Sequence, residues 1–158
     1  MTTELVTDFA TVADEVDRRI TSTVWCTLAT TDTRGRPRTR IVHPVWERAG
    51  DGAVGWLGTR TGTPKLAHLA AHPWASLLYW DPRHQQVTVD AHVEVRTDDE
   101  TRQHVWALMS SFDEPYGFDP APMWPEGATG AGFTVLRLDP VRVTLFGNPV
   151  QVWRAPGT

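Results

Sequence analysis

The sequence predicts a mainly β protein, an antiparallel barrel with helices at its periphery. Short stretches in which apolar and polar residues alternate recur along the chain, separated by residues typical of tight turns. Helical periodicity occurs at only three points, so few connections are long enough for the crossovers of a parallel sheet. The pattern therefore favours an antiparallel barrel over a doubly wound sheet. A length of 158 residues fits one domain, residues 1–158.

The first elements follow from periodicity and capping signals. Residues 7–20 predict an amphipathic helix with Thr7 as its N-cap, since apolar residues recur there every three or four positions. Residues 24–31 predict a strand whose even positions are buried. The turn-forming stretch 32–37 joins it as a hairpin to a strand over residues 38–47.

The central elements surround a helix start. Residues 54–58 predict a short strand after a Gly-Asp-Gly turn. Thr63 as N-cap and Pro64 in the first turn predict a short helix that ends near His72. Residues 75–80 predict an apolar strand, and residues 86–95 show the cleanest alternation in the chain.

The last third combines a helix, a long loop and strands. Thr97 and Glu100 have the spacing of a capping box, which predicts a helix that continues to about residue 110. Residues 113–132 contain four prolines and four glycines, which is typical of a lid or binding loop. Three further strands are predicted at 133–138, 141–146 and 150–153.

Composition excludes several classes of protein. The net charge is −4 without a block of basic residues, so we expect no nucleic-acid partner. No apolar run approaches the roughly 20 residues that span a bilayer, and the N-terminus lacks the features of a signal peptide. Cys26 is the one cysteine, so no disulfide can form within the chain. We expect a cytoplasmic protein without a membrane partner.

The segment 59–65 carries the clearest chemical signal. Lys65 is the one lysine of the chain, and it follows a predicted helix start. Helix N-termini bind phosphate through unpaired N–H groups and the partial positive charge of the helix. Thr59, Thr61 and Thr63 add hydroxyl groups, while Arg60 and Lys65 add positive charge. The spacing of a P-loop is absent, and a solvated lysine beside an ordinary capped helix is the alternative interpretation.

The order of these elements resembles the pyridoxamine 5′-phosphate oxidase-like family of FMN-binding split β-barrels. The resemblance rests on Arg40-Ile41-Val42, the Thr/Gly-rich turn with Lys65, the helix and apolar strand that follow, and Gln86-Val87-x-Val89. It covers residues 24–95 and extends weakly to the C-terminal strands. It implies a Greek-key-like split barrel, a homodimer with its cofactor sites near the interface, and an FMN-dependent oxidoreductase acting on a small planar molecule.

The resemblance also implies roles for individual residues. The arginine that matches Arg40 reaches the phosphate, and backbone groups of Ile41, Val42 and His43 contact the ring system. Gly58, Thr59 and Lys65 match the phosphate side of the family's site, where Arg60 and Thr63 add donors. The glutamine that matches Gln86 reaches the cofactor, commonly across a subunit boundary.

Departures from the family pattern leave the reaction open. Pro64 stands where a second basic residue often precedes the lysine, and the C-terminal Arg-x-His signature has no counterpart in residues 150–158. A related branch of the fold uses the deazaflavin F420, and its motifs in this region are similar. The alternatives to an FMN enzyme are an F420-dependent reductase and a non-catalytic flavin- or ligand-binding protein.

Other polar and aromatic residues have simpler interpretations. His68 and His72 have a spacing that can hold zinc, but a solvated helix face is the favoured interpretation, and we expect no metal site. Asp90 and His92 are candidates for proton transfer on a face that is otherwise expected to be solvated. Trp80, Trp106 and Trp124 are expected in the core, and Trp124, from the loop 113–132, is the one most suited to a pocket wall.

Overall fold

A computed structural model describes residues 1–158, which form nine strands and three helices. In chain order these are β1 (Thr3–Val6), α1 (Ala10–Thr23), β2 (Cys26–Thr31), β3 (Pro37–Val42), β4 (Val45–Ala49), β5 (Gly52–Arg60), α2 (Pro64–Ala71), β6 (Trp74–Trp80), β7 (Gln86–Arg96), α3 (Asp99–Met109), β8 (Phe133–Phe146) and β9 (Val150–Arg154). None of the three helices has the length and hydropathy that a membrane-spanning segment requires.

All nine strands belong to one sheet, which confirms the prediction of a mainly β fold with peripheral helices. Its main path runs β1-β9-β8-β7-β6-β2-β3, and β5 pairs with β8 and carries β4. The first half of β8 pairs with β5 and the second half with β9, so this strand divides the sheet into two parts. This is the split that the resemblance implied.

One edge of the sheet departs from the antiparallel pairing of the other strands. The unpredicted strand β1 pairs in parallel with β9, from Thr3 opposite Val150 to Val6 opposite Trp153. Only Val6 of its four residues is buried, so the segment lacks the apolar alternation by which strands are recognised. The sheet is therefore mixed, with every other pairing antiparallel.

One core lies between the sheet and the helices. It is built from alternate residues of the strands, with Leu28, Leu77, Val87 and Val89 at most 1% exposed. Helix α1 closes it with one apolar face: Val12, Ala13, Val16 and Ile20. Cys26 is buried in this core, which raises the pKa of its thiol to about 12 and leaves it inert at neutral pH.

The predicted strand over residues 38–47 is broken in the structure. Strand β3 ends at Val42 and pairs with β2, whereas β4 begins at Val45 and pairs with β5. Pro44 has no N–H group to donate to a ladder, so the chain leaves one part of the sheet and enters the other at His43-Pro44. The break positions the His43 side chain between the two parts.

Three other predicted boundaries are corrected. Helix α1 begins at Ala10 instead of residue 7, and the Asp8 carboxylate accepts a hydrogen bond from its first N–H at 2.9 Å. Helix α3 is capped by Asp98, which accepts from the Thr101 N–H at 2.9 Å, instead of by Thr97. The two strands predicted at 133–138 and 141–146 form the single strand β8.

Candidate functional site

The segment 113–132 contains no helix or strand and folds against the barrel. The Tyr116 hydroxyl accepts a hydrogen bond from the Trp46 N–H at 2.7 Å, and the Phe118 N–H donates to the Met109 carbonyl at 2.9 Å. The Trp124 ring packs edge-on against Phe133 with 4.9 Å between centroids. The segment is therefore anchored by buried contacts at both of its halves.

Gly58 makes room for this anchoring. A Cβ built on Gly58 would lie 2.6 Å from Met109 Cε, 2.8 Å from Phe133 Cε2 and 3.2 Å from Trp124 Cη2. A side chain at this position would therefore overlap the core beneath β5. The structure thus gives Gly58 a packing role in addition to its place in the cavity wall.

A cavity of about 690 Å³ opens between the end of β3, strand β5, the start of α2 and the 113–132 segment. Eight of the ten residues predicted as cofactor-binding line it: Ile41, Val42, His43, Gly58, Thr59, Arg60, Thr63 and Lys65. The remaining wall consists of Trp25, Leu57, Pro115, Phe118, Asp119, Met123 and Trp124. This confirms that Trp124 is a pocket wall, although it is also 92% buried.

One end of the cavity is cationic. The Lys65 ammonium group donates to Thr59 Oγ1 at 2.7 Å and to Thr63 Oγ1 at 3.1 Å. Burial, and then the nearby Arg40 guanidinium, lower the pKa of Lys65. Lys65, Arg40 and Arg60 form no salt bridge, whereas nine other arginines of the chain do. This end therefore concentrates positive charge without an anion from the chain.

Arg40 lies behind this end and does not line the cavity. Its guanidinium donates to Thr30 Oγ1 at 2.7 Å and to the Leu28 carbonyl at 3.2 Å. Thr30 also contacts His68 Nδ1 at 3.0 Å, so the imidazole belongs to this cluster instead of to a solvated helix face. Burial lowers the pKa of Arg40.

The opposite end is aromatic. The His43 ring lies between Trp25 and Phe118, with 4.9 Å and 4.7 Å between ring centroids. His43 Nε2 is 2.7 Å from the Tyr116 carbonyl oxygen, which can only accept, so Nε2 carries a proton. Burial lowers the pKa of His43, and the hydrogen bond to Tyr116 opposes this effect.

Gln86 lies outside the cavity, on the outer face of the sheet. It is directly opposite Trp80 in the β6–β7 ladder, so both side chains point to this face. Trp80 is 54% exposed, and the expectation that it belongs to the core is wrong.

Asp90 and His92 also lie away from the cavity. The Asp90 carboxylate accepts a hydrogen bond from Ser76 Oγ at 2.7 Å, and the His92 ring packs against Trp74.

Sequence reasoning missed several residues of the cavity wall. Trp25 alternates with the buried positions 24 and 26, so its outward direction was predictable, but its position beside His43 depends on the pairing of β2 with β3. Pro115, Phe118, Asp119 and Met123 are in a segment without periodicity, where no local pattern indicates direction.

The sequence profile of pyridoxamine 5′-phosphate oxidase matches residues 12–147, which is most of the chain. The chain belongs to the pyridoxamine 5′-phosphate oxidase family. A relative in this comparison is dihydrophenazinedicarboxylate synthase from Pseudomonas chlororaphis, 38% identical over 80 residues. The matched region spans 50% of this chain and 34% of that enzyme, about a third of its length.

Solved structures show the same fold at low sequence identity. A general stress protein 26-related protein of the pyridoxine phosphate oxidase family from Clostridium acetobutylicum has a TM-score of 0.72, 14% identity and coverage of 91% of this chain and 94% of its own. An FMN-binding protein from Nostoc punctiforme has a TM-score of 0.61 and 22% identity, and the match covers 90% of this chain and 86% of that protein. An F420 reductase has a TM-score of 0.57 and 20% identity, and the match covers 77% of this chain and 89% of that protein. These likenesses show that this member of the family has its split-barrel fold.

Proposed function

We propose that this protein is an FMN-dependent oxidoreductase that transfers a hydride to or from a small planar substrate. The observation that carries the proposal is the cavity with an unpaired cationic end and an aromatic end. Its volume lies within the range of small-molecule and cofactor sites. Membership of the family and the FMN-binding protein of the same fold support it.

The cationic end has the donor set of a phosphate site. Lys65 keeps one N–H beyond those given to Thr59 and Thr63, because an ammonium group has three. The Arg60 guanidinium is exposed at the rim and forms no salt bridge. Thr63 makes no side-chain capping hydrogen bond, Pro64 has no N–H group, and the Leu66 N–H donates to the Thr63 carbonyl at 3.0 Å, so the Lys65 N–H is the first-turn donor of α2 left for a ligand. A dianionic phosphate supplies the acceptors that this end lacks.

The other end fits a flat ring system. Ile41 and Val42 of β3 line one side of the cavity, and Phe118 and Met123 of the 113–132 segment line the other. Apolar walls on both sides exclude water from a planar ring held between them. When bound, a flavin supplies the hydride acceptor or donor, while the chain holds the ring, the phosphate and the substrate in place.

The substrate class follows from the same walls. A molecule placed against the ring system must be thin enough to fit under the 113–132 segment. The relationship to dihydrophenazinedicarboxylate synthase supports a planar, carboxylated ring compound.

We also propose that the protein is a homodimer with the two sites near the interface. The outer face of β2, β3 and β6 exposes large apolar side chains: Trp25 57%, Ile41 63%, Trp74 54%, Leu78 38% and Trp80 54%. Such a patch is typical of an interaction surface. Trp25 and Ile41 also line the cavity, so a second copy on this face would close its mouth. Gln86 lies on the same face, where it would reach the partner's cofactor.

The second candidate function is an F420-dependent reductase, favoured by the F420 reductase among the structures of this fold. F420 also presents a flat ring and a phosphate, but its phosphate is a diester. The third candidate is a ligand-binding protein without turnover, which the same cavity would serve.

Titration of the purified protein separates these functions. We expect binding of FMN with a characteristic flavin spectrum, weaker binding of riboflavin, and anaerobic bleaching of bound FMN by a dihydrophenazinedicarboxylate as a planar test substrate. Binding of F420 in preference to FMN would replace the cofactor in this proposal. Tight FMN binding without reduction by this compound, by menadiol or by NADPH would favour the ligand-binding protein.

A further inference from the structure

His43 is the one histidine among the residues that line the cavity. Its position follows from the break between β3 and β4, where the following Pro44 cannot continue the ladder. The side chain lies at the aromatic end, between Trp25 and Phe118. An imidazole is the side chain best suited to exchange a proton near neutral pH.

The two ring nitrogens of His43 have different environments. Nε2 donates to the Tyr116 carbonyl at 2.7 Å, which fixes the orientation of the ring. Nδ1 has no hydrogen-bond partner within the chain, and it is not one of the fully buried side-chain atoms that lack a partner. Because His43 lines the cavity, Nδ1 is the ring atom left for a ligand, and in the neutral ring it carries a lone pair.

We propose that His43 is the proton-exchanging residue of this site, with Nδ1 as the reacting atom. This inference rests on the proposed function. A bound flavin would supply the two-electron acceptor, taking one N–H hydrogen of a dihydro-aromatic substrate with its electron pair as hydride. The other N–H bond breaks as its proton passes to His43 Nδ1, so the substrate loses two electrons and two hydrogens. The reverse reaction returns the proton from the imidazolium.

The other ionisable groups around the cavity are unsuited to this role. Lys65 and Arg60 are cations and have no lone pair to offer in their charged form. The Tyr116 hydroxyl is occupied by the Trp46 N–H, and burial raises its pKa. Asp119, from the 113–132 segment, is exposed, and its carboxylate accepts from the Ala121 N–H at 3.0 Å.

The charge state of His43 agrees with its role as a proton acceptor. Burial lowers its pKa from the ordinary value of 6.5, and no charged neighbour raises it. The ring is therefore neutral at pH 7 and above, with Nδ1 ready to accept. Acidification through this lowered pKa protonates Nδ1 and blocks acceptance, whereas Nε2 still donates to Tyr116 in both states.

Two substitutions separate proton exchange from anchoring. His43→Gln places an amide N–H near the position of Nε2, so it retains a donor for Tyr116 but has no basic atom. His43→Phe keeps a flat ring between Trp25 and Phe118 but removes both functions. With FMN and a dihydrophenazinedicarboxylate, we expect the rate of the wild-type protein to fall as the pH drops through the lowered pKa of His43. His43→Gln should lose this dependence and react about 10²- to 10⁴-fold more slowly.

Two measurements do not depend on turnover. In the cofactor-free protein, ¹⁵N resonances of His43 should show a protonated Nε2 and an unprotonated Nδ1 at pH 7.5. Hydrogen exchange of residues 116–118 should remain slow in His43→Gln and become faster in His43→Phe. A protonated Nδ1 at this pH would overturn the inference.

The inference and the proposed function fail in different ways. If wild-type protein reduces bound FMN and His43→Gln retains the rate and the acidic limb, then His43 is an anchor alone and the proposed function stands. If only FMN affinity falls in His43→Gln, the residue positions the cofactor. If wild-type protein transfers no hydride with FMN or F420, both the proposed function and the proton exchange are overturned.

Discussion

Replacement of Lys65 by methionine tests the phosphate end of the cavity, because methionine keeps most of the apolar stem and removes the charge. Two of the three N–H groups of the ammonium are engaged by Thr59 and Thr63, so one remains for a phosphate oxygen. A hydrogen bond to a charged group contributes about 1.5–3 kcal/mol. We therefore expect Lys65→Met to weaken FMN binding by about ten- to a hundred-fold.

Riboflavin provides the internal control, since it has the same ring system without the phosphate. Its affinity should change little in Lys65→Met. Arg34→Met removes an equal charge from the exposed turn between β2 and β3, outside the cavity, and should leave both affinities unchanged. Quenching of flavin fluorescence during titration measures the FMN and riboflavin affinities of each variant and of the wild-type protein. Equal losses for FMN and riboflavin would refute the assignment of Lys65 to the phosphate.

Lys65→Met, which should weaken FMN binding, should not lower the stability of the cofactor-free protein. Burial and Arg40 lower the pKa of Lys65 below 10.5, so the folded state binds this proton less tightly than the unfolded state. The free energy of unfolding therefore rises with pH between the lowered pKa and 10.5. Below that window the charged lysine destabilises the folded state. Lys65→Met should leave the melting temperature of the cofactor-free protein at pH 7 unchanged or higher, which thermal unfolding measures. A marked fall would assign Lys65 a structural role.

Three further substitutions test packing, assembly and the cavity wall. Gly58→Ala places a Cβ 2.6 Å from Met109 and should cost about 1–3 kcal/mol by chemical denaturation, whereas Gly132→Ala meets no atom within 4 Å and should be near neutral. Trp80→Glu should convert the proposed dimer to a monomer in sedimentation, and a wild-type monomer at micromolar concentration would refute the dimer. Met123→Ala should raise the KM for the dihydrophenazine more than it weakens FMN binding; a loss of FMN affinity alone would assign Met123 to the cofactor.

The strands that alternate cleanly were predictable, because alternation reports burial directly. Residues 86–95 were predicted as a strand with an apolar face, and β7 buries Val87, Val89, Ala91 and Val93. The strand β1 was missed because it gains its place through backbone pairing with β9, 147 residues away at Thr3 and Val150. Such a pairing leaves no pattern in a tetrapeptide in which only Val6 is buried.

The chemistry of the site was predictable to different degrees at its two ends. The segment 59–65 gathers its hydroxyl groups and charges within seven consecutive residues, so local sequence was enough to indicate an anion site. The structure places Arg40 of β3 nearby. Its positive charge lowers the pKa of Lys65, and its guanidinium donates hydrogen bonds to residues of β2. Only the order of elements shared with a known family indicated that Arg40 belongs there.

The aromatic end is a product of tertiary structure. Trp25, His43 and Phe118 come from β2, the break after β3 and the 113–132 segment, and no spacing in the sequence connects them. The Tyr116 carbonyl that orients His43 is a backbone atom, which carries no sequence signal at all. The orientation of His43 thus depends on a contact that sequence patterns cannot report. Seven consecutive residues indicated the proposed anion site, whereas the proposed proton acceptor required the tertiary structure, so sequence could suggest a cofactor class and could not suggest the residue that exchanges the proton.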